Sequence, residues 1–136
     1  MAKNVFLNFR TQVFEFNVTD GIHSGAAGAH VLGELPAGAV ITHAWIHVKT
    51  TCTSENDNAT IKLGYTGDDD AFEGATAISS GTTWDDAVPR ASDAAATNVV
   101  ANFVPLASAV QVLATVATET VTAGRVRLYV QYYVED

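Results

Sequence analysis

The sequence predicts an all-β domain, an antiparallel β-sandwich or jelly-roll-like fold with little or no helix. Three observations lead there: apolar residues recur with period two, turn-forming Gly, Asp, Asn and Ser cluster between those runs, and helix signals are thin. The 136 residues fit one domain, 1–136. A chain of this length hides roughly two-thirds of its unfolded surface, enough for a core without disulfides or a structural metal.

The chain opens with "NVFLNF" and "QVFEFNV", whose alternation sends Phe6, Phe14 and Phe16 to a core. Residues 1–12 suit an edge strand or an arm exchanged between subunits. They hold one lysine early and no continuous apolar segment, so they do not read as a secretory signal. Residues 20–38, "DGIHSGAAGAHVLGELPAG", carry glycines at 21, 25, 28, 33 and 38 and read as a flexible loop rather than a packed element. This stretch lacks lysine and the spacing of a phosphate cradle. It fits either an ordinary loop or one that orders over a neighbouring subunit.

In "ITHAWIHVK", His43 and His47 stand four apart around Trp45. On a helix that spacing grips one zinc ion. Here β-branched and aromatic neighbours (Val40, Ile41, Trp45, Ile46, Val48) follow the turn "LPAGA", which argues for a strand. Two strand residues four apart stand about 13 Å from each other, too far to share a zinc. The histidines therefore belong to a half-exposed face around Trp45, with Thr42, Ala44, Ile46 and Val48 on the other side.

"ATIKLGY" alternates Ile61, Leu63 and Tyr65 against Thr60 and Lys62. It runs into "GYTGDDDAFEG", read as an acidic loop with Asp68, Asp69 and Asp70. A cation is conceivable there, but the contiguous triplet lacks the spacing and the glycine of a calcium loop. A solvated loop or a partner-facing acidic patch is the plainer reading. The run "RASDAAATNVVANF" offers Ser92 as an N-cap, yet Thr97, Val99 and Val100 oppose helix, leaving one turn or none. "AVQVLATVA" points Val110, Val112 and Val116 one way. In "RVRLYVQYYV", Val126, Leu128, Val130, Tyr132 and Val134 share a face opposite Arg125, Arg127, Tyr129, Gln131 and Tyr133. Ten extended residues reach about 34 Å, enough to cross a whole sheet.

Composition narrows the function. The formal net charge is −8, and the seven Lys and Arg residues are scattered along the chain, which argues against nucleic acid and for a basic protein partner. No run of about 18 apolar residues exists to span a membrane as a helix. Cys52, the single cysteine, cannot form an intrachain bridge and reads as a small hydrophobe in a reducing compartment. Motifs for nucleophilic or zinc-dependent catalysis are missing, so neither enzyme activity nor a catalytic residue, cofactor or metal is expected. The outward Trp45, Tyr129 and Tyr133 are residue types that anchor interfaces.

Three segments, "GELPAGAVITHAWIHVKT", "NATIKLGYTGDDDAF" and "TAGRVRLYVQYYVED", in this order and spacing, resemble small virion proteins of tailed bacteriophages. The resemblance implies a head decoration (cement) protein. It would bind the major capsid protein on the outside of the shell, often as a homotrimer, without catalytic residues, nucleic acid or membrane. Assembly in the host cytoplasm is part of that implication. What carries over is scaffold only: Leu35 to Val48, Ile61 to Phe72 and Gly124 to Val134. The same pattern suits a tail, neck or fibre-attachment component. The rival from another class is a carbohydrate-binding module using exposed aromatics such as Trp45.

Overall fold

The computed structural model describes residues 8–92 and 103–134; Phe6, Lys3 and most of the run expected to hold at most one helical turn lie outside them. The described residues form eight strands: β1 (Arg10–Asn17), β2 (Gly28–Leu35), β3 (Ala39–Ser54), β4 (Thr60–Tyr65), β5 (Asp68–Ala77), β6 (Arg90–Ala91), β7 (Val110–Ala117) and β8 (Val121–Val134). They make two antiparallel sheets, a first in the order β1-β8-β3-β6 and a second in the order β2-β7-β4-β5. The all-β sandwich expected from the period-two runs is the fold observed.

The pairing has a simple logic. β1 pairs with β8, β2 with β7, β3 with β6 and β4 with β5, all antiparallel. The chain is thus one long two-stranded ribbon, folded over so that its ladders are shared between two sheets. Its tip is the turn Thr66–Gly67, where Gly67 takes a φ of +97° that side chains disfavour.

Between the sheets lies the core. Val126, Leu128, Val130 and Tyr132 of β8 are buried there with Phe14 and Phe16 of β1. Opposite them stand Ile61 and Leu63 of β4 and Val112, Ala114 and Val116 of β7. Alternation decides which residues meet, because successive side chains of a strand point to opposite faces. Trp84 comes from the β5–β6 connection, yet it is fully buried and its indole N–H donates to the Thr76 carbonyl oxygen at 3.0 Å.

Two expectations need correction. Residues 20–38 are not one loop: Gly28–Leu35 is a packed strand, β2, in register with β7. Its glycines hid it. A Cβ on Gly33 would stand 2.8 Å from the Phe14 ring, so the backbone can approach that ring only without a side chain. Likewise, Asp68, Asp69 and Asp70 open strand β5 rather than sit in a loop, because the turn before them is only two residues long.

Candidate functional site

On the outer face of the first sheet, cross-strand pairing arranges side chains in rows. Val40 lies opposite Tyr133, and the Phe9 ring meets the Tyr133 ring edge-on at 5.5 Å. Next come Thr11, Gln131 and His43, then Val13, Tyr129, Trp45 and Ala91. Glu15, Arg127 and His47 follow, and Asn17, Arg125 and Thr50 close the series. Two apolar rows therefore flank a polar one, and charged rows lie at one end.

The sequence builds this face through a bulge. β3 shifts register between Ile41 and His43, leaving Thr42 as the extra residue against β8. Before the shift, Ala39 and Ile41 point to the core; after it, Ile46 and Val48 do, with Ala44 packed against it. His43, Trp45 and His47 consequently face outward together. The Thr42 hydroxyl secures the bulge by donating to the Gln131 backbone oxygen at 3.2 Å and its side-chain oxygen at 3.0 Å. The same amide oxygen lies 3.0 Å from His43 Nδ1, so that nitrogen carries the proton.

Trp45 and Tyr129 stack with centroids 5.3 Å apart and planes 2° from parallel. The stack packs the two rings against each other and restricts the freedom of both side chains. Beside Trp45 an open trough of ≈ 510 Å³ runs between His43, Gln131 and the segment Pro89–Ala91. At the charged end, Glu15 bonds the Arg125 guanidinium and lies 3.5 Å from that of Arg127. Partial burial opposes ionisation of Glu15, but the Arg125 bond and the two positive charges outweigh it and hold its pKa below the usual carboxylate value.

Of the interface candidates, Trp45, Tyr129 and Tyr133 come together on this face, whereas Asp68, Asp69 and Asp70 lie on β5 in the second sheet. Asp69 pairs with Lys62 at 2.8 Å. Among the described residues no three His, Cys, Asp or Glu side chains converge as a metal site. His23 and His30 both pack on the buried Phe16 ring, 5.3 and 5.4 Å between centroids. His23 Nδ1 accepts the Asn17 N–H at 3.1 Å and His30 Nε2 donates to the Ala26 carbonyl at 2.7 Å, so both pin local backbone.

Sequence reasoning missed Phe9 and Val13, 54% and 49% exposed, although the alternation that buries Phe14 and Phe16 implies an outward Val13. It also took the basic residues as scattered. Five of the seven, Arg10, Lys49, Arg90, Arg125 and Arg127, lie on strands of the first sheet, joined there by register rather than by sequence.

No family model matches the chain, and no curated protein matches it. Solved structures do. A chain in the acid-stable capsid structure of Helicobacter pylori bacteriophage KHP30 superposes with a TM-score of 0.65 at 14% identity, covering 94% of this chain and 89% of that one. A chain in the capsid of Ralstonia phage GP4 gives 0.61 at 15% identity, covering 95% and 86%. A chain in the capsid asymmetric unit of cyanophage Pam1 gives 0.63 at 20% identity, covering 99% and 91%. Identities this low establish a shared fold, and the shared fold spans nearly the whole of each chain.

Proposed function

We propose that the protein is a structural component of a tailed-phage virion, a decoration or cement protein that binds the outside of the assembled capsid and stabilises it. The observation that carries this reading is the likeness to chains of three phage capsid structures over nearly the full length of both partners. We read the strand order, β1-β8-β3-β6 over β2-β7-β4-β5, as a jelly roll, a fold recurrent among capsid and lectin domains.

Stabilisation would work by mass action. A protein that binds the assembled shell and not its separated subunits favours the shell by RT ln(1 + [L]/Kd), about 2.7 kcal/mol per site when free protein is a hundredfold above Kd. Such a role needs surfaces and no reaction, so the protein is not an enzyme and takes no cofactor. Its partners are the major capsid protein and further copies of itself, as a homotrimer, on the capsid exterior after assembly in the host cytoplasm. Nucleic acid and membrane have no part in this role.

Purified protein mixed with empty capsids of its phage tests the proposal. It should co-sediment with them and raise the temperature at which they open. Failure to sediment, together with selective hits on a glycan array, would replace the reading with a carbohydrate-binding module seated at the Trp45 trough. Immunogold labelling confined to the tail or neck of particles would move the protein there instead. Light scattering of the free protein should give the trimer mass; a strict monomer that also ignores capsids refutes the assembly.

A further inference from the structure

We propose that the protein docks through the outer face of its first sheet, and that the surface it meets presents apolar side chains and carboxylates rather than basic groups. This rests on the decoration reading and adds which face binds and what chemistry the shell offers.

Charge is segregated between the two sheets. The strands of the first sheet carry five cations, Arg10, Lys49, Arg90, Arg125 and Arg127, against one carboxylate, Glu15, for +4. Those of the second carry Glu34, Asp68, Asp69, Asp70 and Glu73 against Lys62 alone, for −4. Arg90 and Glu73 pair with each other at 3.2 Å across the sandwich, leaving +3 and −3. Arg10 and Arg90 stand in register with the core-facing Tyr132 and Ile46, so the outer face itself holds Arg125 and Arg127 against Glu15, with Lys49 at a bulge beside Asp86 of the β5–β6 connection.

The same sheet holds the apolar material. Phe9 and Val13 expose about half their surface, and they continue across the strands into Tyr133 and into the Tyr129–Trp45 stack. Aromatic and arginine side chains in one patch are the composition of energetically dominant interface positions. Two arginines sharing the single carboxylate of Glu15 retain N–H donors for an incoming anion. The acidic triplet, the obvious partner for a basic surface, lies on the opposite sheet and spends Asp69 on Lys62.

A duplex of nucleic acid is the other anionic partner. It suits this face less well, because two arginines sharing Glu15 at one end of the apolar rows, with Lys49 beside Asp86, give little counterion release.

The test uses the full chain and purified empty capsids. Val13→Asp and Lys49→Glu change exposed positions of the first sheet, and Trp45→Ala removes the stack. Val31→Asp and Asp70→Lys are matched changes on the second. Far-UV circular dichroism and melting confirm folding of each. Sedimentation titrations should show each first-sheet variant weakened about tenfold or more. Both second-sheet variants should stay within about twofold of the original. Added salt should weaken the original protein, and Lys49→Glu should flatten that dependence.

Loss of binding through Val31→Asp or Asp70→Lys, with the first-sheet variants intact, would overturn the assignment of the face. Equal binding by all five variants would overturn it too, leaving the decoration role standing. Retention of a short DNA duplex in place of capsids would overturn the partner chemistry. No capsid binding by the unaltered protein removes the decoration role and this inference together.

Discussion

Glu119, in the turn between β7 and β8, accepts hydrogen bonds from the Ser54 hydroxyl at 2.7 Å and the Asn56 amide side chain at 2.9 Å. The backbone N–H groups of Asn56 and Asn58 add two more at 3.1 and 3.2 Å. These donors, led by Ser54, pull its pKa from 4.5 to about 2. A lowered carboxylate pKa contributes stability that is fully present above the unfolded value and is lost as pH falls toward the folded one. Melting temperature should therefore drop between pH 4.5 and 2 more steeply in the original protein than in Glu119→Gln; parallel profiles would disprove the clamp. Cys52 illustrates the opposite shift. Burial, helped by the charge of Asp85, pushes its thiol up to about 12, so a thiol reagent at pH 8 should label it only after denaturation. Its neighbour Gly124 holds φ +148°, and a Cβ there would stand 2.7 Å from the Cys52 sulfur. Gly124→Ala should cost roughly 2–3 kcal/mol in urea unfolding, through strain and overpacking.

At the scale of elements, β3 and β8 were legible because long alternating runs leave one reading of what is inside. The bulges at Thr42 and Lys49 were not, since a register shift depends on the partner strand. β2 escaped because Gly33 answers a ring from β1 and the strand's hydrogen bonds come from β7, both distant in sequence. Trp84 was equally hidden: a lone aromatic in a connection has no period to betray its burial. It helps seat β6, since the Arg90 guanidinium lies 5.8 Å from its ring centroid while bonding Glu73 of β5 and the Thr83 carbonyl. Glu73 is nearly buried and Arg90 about a third exposed, so the pair sits between a surface and an interior ion pair. Arg90→Ala should cost about 1–3 kcal/mol by chemical denaturation. The double variant Arg90→Met with Glu73→Leu should recover much of that, since apolar side chains remove the need for a counter-charge. The candidate face was legible as three aromatics, and the Arg125–Glu15–Arg127 cluster beside them was not, because strand order rather than sequence order assembles it.

For the molecule as a whole, the folded ribbon puts the earliest described strand against the last, Arg10 facing Tyr132. Nearly every ladder except the β4–β5 hairpin closes a long loop, and such contacts pay their chain entropy before they reward it. Refolding after denaturant dilution should accordingly take milliseconds to seconds. Microsecond refolding in stopped-flow or temperature-jump experiments would contradict that topology.

The chain has two tryptophans, and the fold separates them by fate. Trp84 has no solvent exposure, whereas Trp45 stands half-buried in its stack with Tyr129. Their emission therefore divides into two optical channels. Trp84 fluorescence should follow whether the interior is intact, and Trp45 fluorescence should follow the docking proposed for the outer face. Replacing Trp84 with Phe leaves a natural indole as a label-free sensor for association, readable by spectral shift and by quenching with iodide.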